Sequence, residues 1–280
     1  MPPKIPPMGT KVRPIRFQDG LLEEVETRLG PDGDLSHFVN VAVDRALHGD
    51  DARTLRLVPE PTGPEELRAA CEGFRAALVG RDERRARAIV EDLAGRGARI
   101  VDIYTLVLAP ALAEIGDLWS LERLTVADEH YATELTTRLL GVLAPDRRLP
   151  PTRGRLAVVT ASPDELHALG SRMLADLLER AGWEVIALGA AAPADALAQL
   201  VADECPDVVA LSTATVGRLP GAEEAVGLLH RVRPRPLIAV GGTLYRGPVV
   251  ELARAWGADL VIDDLDDLLT ELGRRFPPTG

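Results

Sequence analysis

Five short apolar runs that alternate with helical stretches most constrain how the C-terminal half of this chain can fold. Parallel strands buried on both faces have continuous apolar sequences, and the helices between them cover the sheet. In such a sheet a ligand binds at the carboxyl ends of the strands, where the winding reverses. The pattern therefore predicts a parallel five-stranded α/β domain over 153–273, with strands at 156–160, 185–188, 208–211, 237–240 and 260–262.

Four helical patterns precede this domain, over 64–145. Apolar residues recur in them at three- and four-residue spacing, which is typical of amphipathic helices. Pro110 interrupts the third pattern and should kink its helix. Thr125 opens the fourth pattern, because its three-residue spacing to Asp128 is that of a capping box. Short connections between four such helices predict an all-α four-helix bundle.

Residues 1–48 have the pattern of a third, smaller unit. A short strand over 10–17 is followed by two helical patterns, which a break containing glycine and proline separates at 30–33. The next stretch, 49–63, is rich in charge, proline and glycine, as linkers are. A unit of this size is too small to be stable alone.

Net charge and hydropathy restrict the partners of the chain. The formal net charge of -11 repels phosphate on average, so nucleic-acid binding would need a local basic surface. No apolar run approaches the roughly 20 residues that cross a bilayer. The start of the chain also lacks a secretory hydrophobic core. We therefore expect a cytoplasmic protein without a membrane partner.

His167 stands at the exit of the first predicted strand, where an imidazole is well placed to bind a metal ion. The ordinary alternative is a solvated histidine on an early helical turn. Ser162-Pro163 followed by Glu165 could itself begin a helix. No Gly-x-Gly-x-x-Gly motif follows the strand, which argues against a dinucleotide. The histidine lies beside an apolar helical stripe made of Leu166, Leu169, Met173 and Leu177.

Small residues follow the third and fourth predicted strands. Ser212-Thr213-Ala214-Thr215 comes after the third strand, and Gly241-Gly242-Thr243 comes after the fourth. Such residues leave a slot in which a flat ligand can approach the backbone closely. Taken separately, each is ordinary loop sequence. Together with His167 they converge on one edge of the sheet.

A different cluster lies in the bundle, where Trp119 is followed after nine residues by the adjacent pair Glu129-His130. Neighbouring helical residues point about 100° apart. The pair can therefore line one wall of a pocket, but it cannot bind one atom as a His-Glu-x-x-His zinc site does. The alternative is a core tryptophan with two exposed polar residues.

These motifs resemble those of cobalamin-binding proteins, and more narrowly those of the adenosylcobalamin-dependent light-sensing repressors of the CarH type. Glu165-x-His167-x-x-Gly170 is similar to the Asp-x-His-x-x-Gly signature of cobalamin-binding proteins. The small residues after the third and fourth strands match the later motifs, and the spacing from Trp119 to the Glu-His pair looks like the upper-face motif of the light sensors. The resemblance covers about 64–272. It implies a flavodoxin-like (Rossmann-like) cobalamin-binding domain after the bundle.

The resemblance also implies adenosylcobalamin, a cobalt corrinoid, as the cofactor. His167 would ligate cobalt from below, and Trp119 would cover the upper face. Glu129 would hydrogen-bond to the adenosyl group, and after light breaks the carbon–cobalt bond His130 could become the new upper ligand. Glu165 stands in place of the usual aspartate, and its longer arm can still orient His167. The other cofactor-binding residues implied in this way are Gly170, Ser212, Thr213, Gly241 and Gly242.

The N-terminal unit resembles a ribbon-helix-helix domain, whereas the known light sensors carry a winged-helix, MerR-type reader. Two such strands from a dimer pair into a ribbon that enters the major groove of a DNA operator. Lys11, Arg13 and Arg16 supply local positive charge, and Ser36 could place backbone N–H groups against a phosphate. The alternative is a dimerisation segment that never touches DNA.

The patterns together indicate a cobalamin-dependent, light-responsive transcription regulator that forms a homodimer or a higher homo-oligomer. The sequence offers no nucleophile–base pair for turnover, so we do not expect an enzyme. One alternative is a corrinoid methyl carrier that serves a methyltransferase, which would share the bundle, the sheet domain and His167. Another is a protein that keeps the corrinoid fold but senses something else.

Overall fold

The computed structural model describes residues 62–143 and 154–277, which belong to one compact unit. The predicted ribbon-helix-helix segment over 1–48, and nearly all of the predicted linker, lie outside the described residues. Among the described residues, no helix combines the length and the apolar character needed to span a bilayer.

The N-terminal part of the described chain is helical, and polar side chains cap the start of some of its helices. The Asp82 carboxylate accepts a hydrogen bond from the backbone N–H of Arg85. Thr125 and Asp128 form the predicted capping box, with each side chain accepting from the other's backbone N–H. The regular helices are α1 (Pro64–Val79), α2 (Glu83–Gly95), α3 (Ile100–Asp102), α4 (Ala109–Ser120) and α5 (Val126–Leu143).

A π-helical segment, Ile103–Leu108, separates α3 from α4. The backbone N–H of Ala109 donates to the carbonyl of Tyr104, five residues back. The predicted irregularity at Pro110 thus takes the form of a widened turn just before the proline. Pro110 itself lies in the first turn of α4, where a missing N–H is tolerated. Such insertions occur frequently at functional sites.

The C-terminal part is a parallel sheet of five strands, as predicted, and the strands are arranged in the order β2-β1-β3-β4-β5. The chain steps from β1 to β2 on one side and then crosses to β3 on the other side, so the winding reverses between β1 and β3. The strands are β1 (Leu156–Ala161), β2 (Glu184–Gly189), β3 (Val208–Ser212), β4 (Leu237–Gly241) and β5 (Leu260–Ile262).

Helices cover both faces of this sheet, and alternate strand residues pack against them. Val158 and Val209 belong to the core shared with α7, α8 and α9, whereas Val159 and Ala210 belong to the core shared with α6 and α10. The helices are α6 (Leu169–Arg180), α7 (Ala194–Glu204), α8 (Leu219–Leu229), α9 (Pro248–Trp256) and α10 (Leu265–Arg275).

Helix α6 contributes to two cores at once. Met173 and Leu177 are buried in the bundle core, which also contains Tyr104. Leu174 and Leu178, on another face of the same helix, are buried against the sheet. The bundle and the sheet therefore pack on two different faces of one helix.

The interpretation that Ser162-Pro163 begins a helix is wrong, because α6 begins at Leu169. The Ser162 hydroxyl is hydrogen-bonded to that of Thr213 at 2.6 Å and caps no helix. Asp164 adopts a positive φ of 60°, which a right-handed helix does not allow. Leu166 is 73% exposed, so it does not belong to the apolar stripe in which the sequence placed it.

Candidate functional site

A histidine–carboxylate pair lies in the loop between β1 and α6. The Nδ1 atom of His167 is 2.6 Å from Oε1 of Glu165, and the backbone N–H of His167 donates to the same oxygen at 3.0 Å. The glutamate side chain is 1% exposed, whereas the imidazole is 62% exposed. Because Nδ1 is engaged, Nε2 is the ring nitrogen that remains for a metal ion arriving from solvent.

The carboxylate of Glu165 also binds the loop that follows β3. Its Oε2 atom accepts hydrogen bonds from the backbone N–H groups of Ala214 at 3.0 Å and Thr215 at 2.9 Å. The Thr215 hydroxyl lies 3.4 Å from both Glu165 Oε1 and His167 Nδ1. Glu165 thus fixes His167 to a second loop of the sheet edge.

These hydrogen bonds keep Glu165 ionised. Burial of the carboxylate raises its pKa, but hydrogen bonds from His167 and from the backbone N–H groups of Ala214 and Thr215 outweigh burial and lower the pKa to about 2. The site therefore holds a permanent negative charge against Nδ1 of His167 over most of the pH scale.

The low pKa of Glu165 should appear in the acid stability of the cofactor-free protein. The pKa of Glu165 is about 2 in the folded protein and near its ordinary value of 4.5 in the unfolded chain. Between these two pH values the unfolded chain binds more protons than the folded protein, so acid favours unfolding. Wild type should be more stable than Glu165→Gln at neutral pH. The gap in free energy of unfolding should shrink by about 2 kcal/mol as the pH falls through this window.

Urea unfolding followed by circular dichroism, at several pH values between neutral and about 2.5, would measure this gap. Glu134→Gln is the matched control, because Glu134 is an exposed glutamate on α5. That control should follow wild type at every pH. Parallel curves for wild type and Glu165→Gln would contradict the assignment.

A buried chain of hydroxyl groups joins three loops at the sheet edge. The Ser162 hydroxyl is 2.6 Å from that of Thr213, which lies 2.9 Å from the Tyr245 hydroxyl. All three residues are buried. The Thr213 hydroxyl therefore faces the protein interior and holds together the loops that follow β1, β3 and β4.

Glycines allow the backbones at this edge of the sheet to approach one another so closely that no side chain fits between them. A Cβ atom on Gly241 would lie 2.6 Å from the carbonyl oxygen of Ile262, and one on Gly242 would lie 2.3 Å from that of Thr213. Gly242 also has a φ of +123°. A Cβ atom on Gly170 would lie 3.1 Å from the Ser212 hydroxyl oxygen. No larger side chain fits at Gly241 or Gly242 unless the backbone moves.

A cavity of about 370 Å³ opens beside these glycines. This volume is within the range of about 300–1,000 Å³ found for small-molecule sites. Its walls come from the carboxyl ends of β1, β3 and β4, from α6, from the start of α10, and from the π-helical segment with α4. Four residues singled out from the sequence line it, namely Gly170, Ser212, Gly241 and Gly242.

A second histidine–carboxylate pair lies on the bundle. The Nδ1 atom of His130 is 2.6 Å from Oε2 of Glu129, and the Thr133 hydroxyl donates to Glu129 Oε1 at 2.9 Å. His130 is exposed. Trp119 is 48% exposed, so it is not the core tryptophan of the ordinary alternative. Leu121 and Val126 are also exposed nearby in sequence, which gives this part of the bundle an apolar surface.

The predicted site residues thus form two groups in the described structure. Glu165, His167 and the small residues after β3 and β4 meet at the sheet edge, and Trp119, Glu129 and His130 lie on the bundle. Sequence reasoning gave no role in the site to Tyr104, Thr215 or Tyr245. The scarcity of aromatic residues, 4% of the chain, could have drawn attention to the two tyrosines. The predicted DNA-binding residues Lys11, Arg13, Arg16 and Ser36 lie outside the described residues.

Comparison with known families points to one class of protein for both parts. Residues 155–272 and residues 70–144 each match a family model described as a B12 binding domain. The two matched segments cover the sheet domain and most of the helical part. They support a cobalamin cofactor.

Two curated relatives, both from Myxococcus xanthus, are regulators. The chain is 30% identical to the HTH-type transcriptional repressor CarH over 177 residues, which are 62% of this chain and 58% of that protein. It is 38% identical to the HTH-type transcriptional repressor CarA over 105 residues, which are 38% of this chain and 34% of that protein. The chain thus spans little more than half the length of CarH, and the matches support a B12-binding regulator similar to CarH.

A solved structure has the same fold. The monomethylamine corrinoid protein of Methanosarcina barkeri superposes with a TM-score of 0.64 at 15% identity, over 74% of this chain and 98% of that chain. At this identity the likeness shows the fold, a helical part followed by a five-stranded parallel sheet.

Proposed function

We propose that the chain binds a cobalamin between the end of its bundle and the edge of its sheet, and that it acts as a cobalamin-dependent transcription regulator. The observation that carries the proposal is the pair of Glu165 and His167, in which a buried carboxylate holds Nδ1 of an exposed imidazole. Metal-ligating histidines almost always donate their second ring N–H to such an acceptor. His167 therefore has the arrangement of a ligand for a metal that comes from outside the loop.

The residues at the sheet edge fit a corrinoid in donor chemistry and in space. A neutral imidazole suits a transition metal such as cobalt. Close backbone approach at Gly241 and Gly242 leaves the neighbouring cavity open for a flat heterocycle. In the proposed complex Gly170 and Ser212 also surround the nucleotide tail. Thr213 holds the loops from behind, because its hydroxyl is turned into the buried hydroxyl chain.

The bundle supplies the other side of the proposed site. Adenosylcobalamin, when bound, would supply light-sensitive cobalt chemistry at this site. Trp119 would cover the adenosyl group, and Glu129 would hydrogen-bond to it. Since Glu129 engages Nδ1 of His130, Nε2 is the nitrogen with which His130 would hold the cobalt ion from the bundle side. Different contacts in the two states would then supply the free energy for switching.

We assign the regulatory output to residues 1–48. Lys11, Arg13 and Arg16 on a paired strand would enter the major groove of an operator, and Ser36 would contact a phosphate. The similarity to two transcriptional repressors supports a regulatory role for the chain. Pairing of strands from two chains makes the active form a homodimer or a higher homo-oligomer. The chain is then a regulator and not an enzyme.

The proposal is tested with purified protein and adenosylcobalamin in the dark. After gel filtration the cofactor should elute with the protein, and the absorbance should differ from that of free adenosylcobalamin and change again under green light. Aquacobalamin is the control, because it lacks the light-sensitive carbon–cobalt bond. A spectrum identical to that of the free cofactor would contradict cobalamin binding.

A gel shift with DNA from upstream of the protein's own gene tests the regulatory part. We expect a shift that depends on the cofactor and on light. No shift under any condition would overturn DNA binding and leave residues 1–48 as a dimerisation segment. The methyl-carrier alternative makes a different prediction, namely cobalt that carries a methyl group and is reloaded by a partner enzyme.

A further inference from the structure

The cavity beside the sheet edge is built by both halves of the module. Gly170, Ser212 and Gly241 form part of the wall on the sheet side. The bundle forms the opposite wall with Tyr104 and with residues at four-residue spacing along one helical face. Their side chains are short, and they leave the cavity open. These residues are Thr105, Ala109 and Ala113.

Tyr104 is fastened to the sheet domain through its hydroxyl group. The buried hydroxyl donates to Oδ2 of Asp176 on α6 at 2.8 Å. Arg180 holds the same oxygen through Nε at 2.6 Å and donates from Nη2 to the carbonyl of Leu143 at the end of α5. Burial and the charge of Asp176 raise the pKa of Tyr104, so the phenol stays protonated and remains the donor.

This polar network acts on the helix that carries the site. Helix α6 begins two residues after His167. Gly170 and Leu174 on this helix line the cavity, and Met173 lines it while also packing in the bundle core. The position of the bundle, the position of α6 and the width of the cavity are therefore set together. A ligand that fills the cavity contacts both walls and stabilises the docked arrangement.

We propose that Tyr104 is a positioning residue that couples occupancy of this cavity to docking of the bundle, so that the nucleotide tail of cobalamin holds the two halves together. The inference rests on the proposed function, and it adds that the tail half of the site is incomplete without the bundle. A corrinoid that lacks the tail would still meet His167 but would not bridge the two walls.

The test compares cobalamin with cobinamide, which lacks the nucleotide tail, on wild type and on Tyr104→Phe. Loss of a hydrogen bond to a charged partner should weaken cobalamin binding about 10-fold. The affinity of Tyr104→Phe for cobinamide should stay within about twofold of the wild-type value, because a ligand without the nucleotide tail does not contact the bundle wall. Tyr131→Phe, on a bundle tyrosine outside the cavity wall, should change neither affinity.

Hydrogen–deuterium exchange gives a second readout. Cobalamin should protect the amides of Ile103–Leu108 more strongly than cobinamide does at equal saturation. Equal protection by the two ligands, or an equal loss of affinity for both in Tyr104→Phe, would overturn the coupling. If wild type binds neither ligand, the proposed function itself fails, and this result is distinguishable from failure of the coupling alone.

A second variant keeps the test valid if Tyr104→Phe folds poorly. Ala109 is exposed and lines the cavity on α4. Ala109→Leu should therefore fold and fill part of the cavity. We expect it to weaken cobalamin binding about 10-fold by steric exclusion of the tail, with cobinamide little affected. Unchanged cobalamin affinity would show that the tail does not use this wall.

Discussion

Replacing His167 with alanine should lower the affinity for adenosylcobalamin by at least about 100-fold, since loss even of a residue that only supports a metal ligand typically costs about 10–100-fold. The imidazole is the exposed member of a fixed pair, and in the proposed complex its Nε2 atom would be the ligand of cobalt. Isothermal titration of the dark protein with the cofactor would measure the loss. The absorbance of any cofactor that still binds should lack the signature of a nitrogen ligand on the lower face.

His230→Ala is the matched control for this experiment. His230 is an exposed histidine at the end of α8, and its Nδ1 atom lies 3.3 Å from Nε of Arg235 and not against a carboxylate. The control should bind adenosylcobalamin as wild type does. If His167→Ala bound the cofactor with wild-type affinity and spectrum, this result would contradict the role of His167 as a cobalt ligand.

The second large effect concerns the fold of the site itself. Gly242→Ala should reduce the free energy of unfolding by about 3 kcal/mol, because a non-glycine residue in such a conformation costs about 1–3 kcal/mol before any overlap. The added Cβ atom would lie 2.3 Å from the carbonyl oxygen of Thr213. Relief of this overlap must move the loop after β3, to which the buried hydroxyl chain is attached.

Gly227→Ala is a suitable control, because Gly227 lies in α8 and a Cβ atom there would meet nothing within 4 Å. Alanine is the better helix former, so this variant should be unchanged or up to about 1 kcal/mol more stable. Chemical denaturation at neutral pH would measure both variants. Equal stability of Gly242→Ala and wild type would mean that the loops can separate without cost.

The strands were predictable because a buried parallel strand has a distinctive sequence. The run over 208–211, for example, becomes β3 with only Ser212 added at its end. Its residues contact helices on both faces and neighbouring strands on both edges, so each must be apolar. The edge of the sheet that carries the site followed from the same pattern, since all five carboxyl ends point one way.

Features that depend on distant contacts could not be predicted. Nothing near Glu165 in sequence indicates that its carboxylate will bind the backbone of Ala214 and Thr215, about fifty residues away. The helix signal at Ser162 failed for a similar reason, because Thr213 engages its hydroxyl. The π-helical segment has no local signature beyond the nearby Pro110. In each case tertiary contacts override the local preference.

The candidate site was predictable in position more than in detail. Small residues after β3 and β4 were expected at one sheet edge with His167, and four of the predicted residues line a cavity there. The roles given to His167, Trp119, Glu129 and His130 remain predictions, since they depend on a bound cofactor. The wall contributed by Tyr104 was missed, because it arises only when the bundle packs against α6.

The double role of α6 has a consequence for how this module can be divided or reused. The sequence suggests two modules joined at a proline-rich segment. Cutting the chain there would remove the bundle residues that cover Met173 and Leu177, and would leave an exposed apolar surface on the isolated sheet domain. Any fusion that joins this part of the chain to another protein must carry the bundle along with the sheet. The natural unit of exchange therefore extends from α1 to α10.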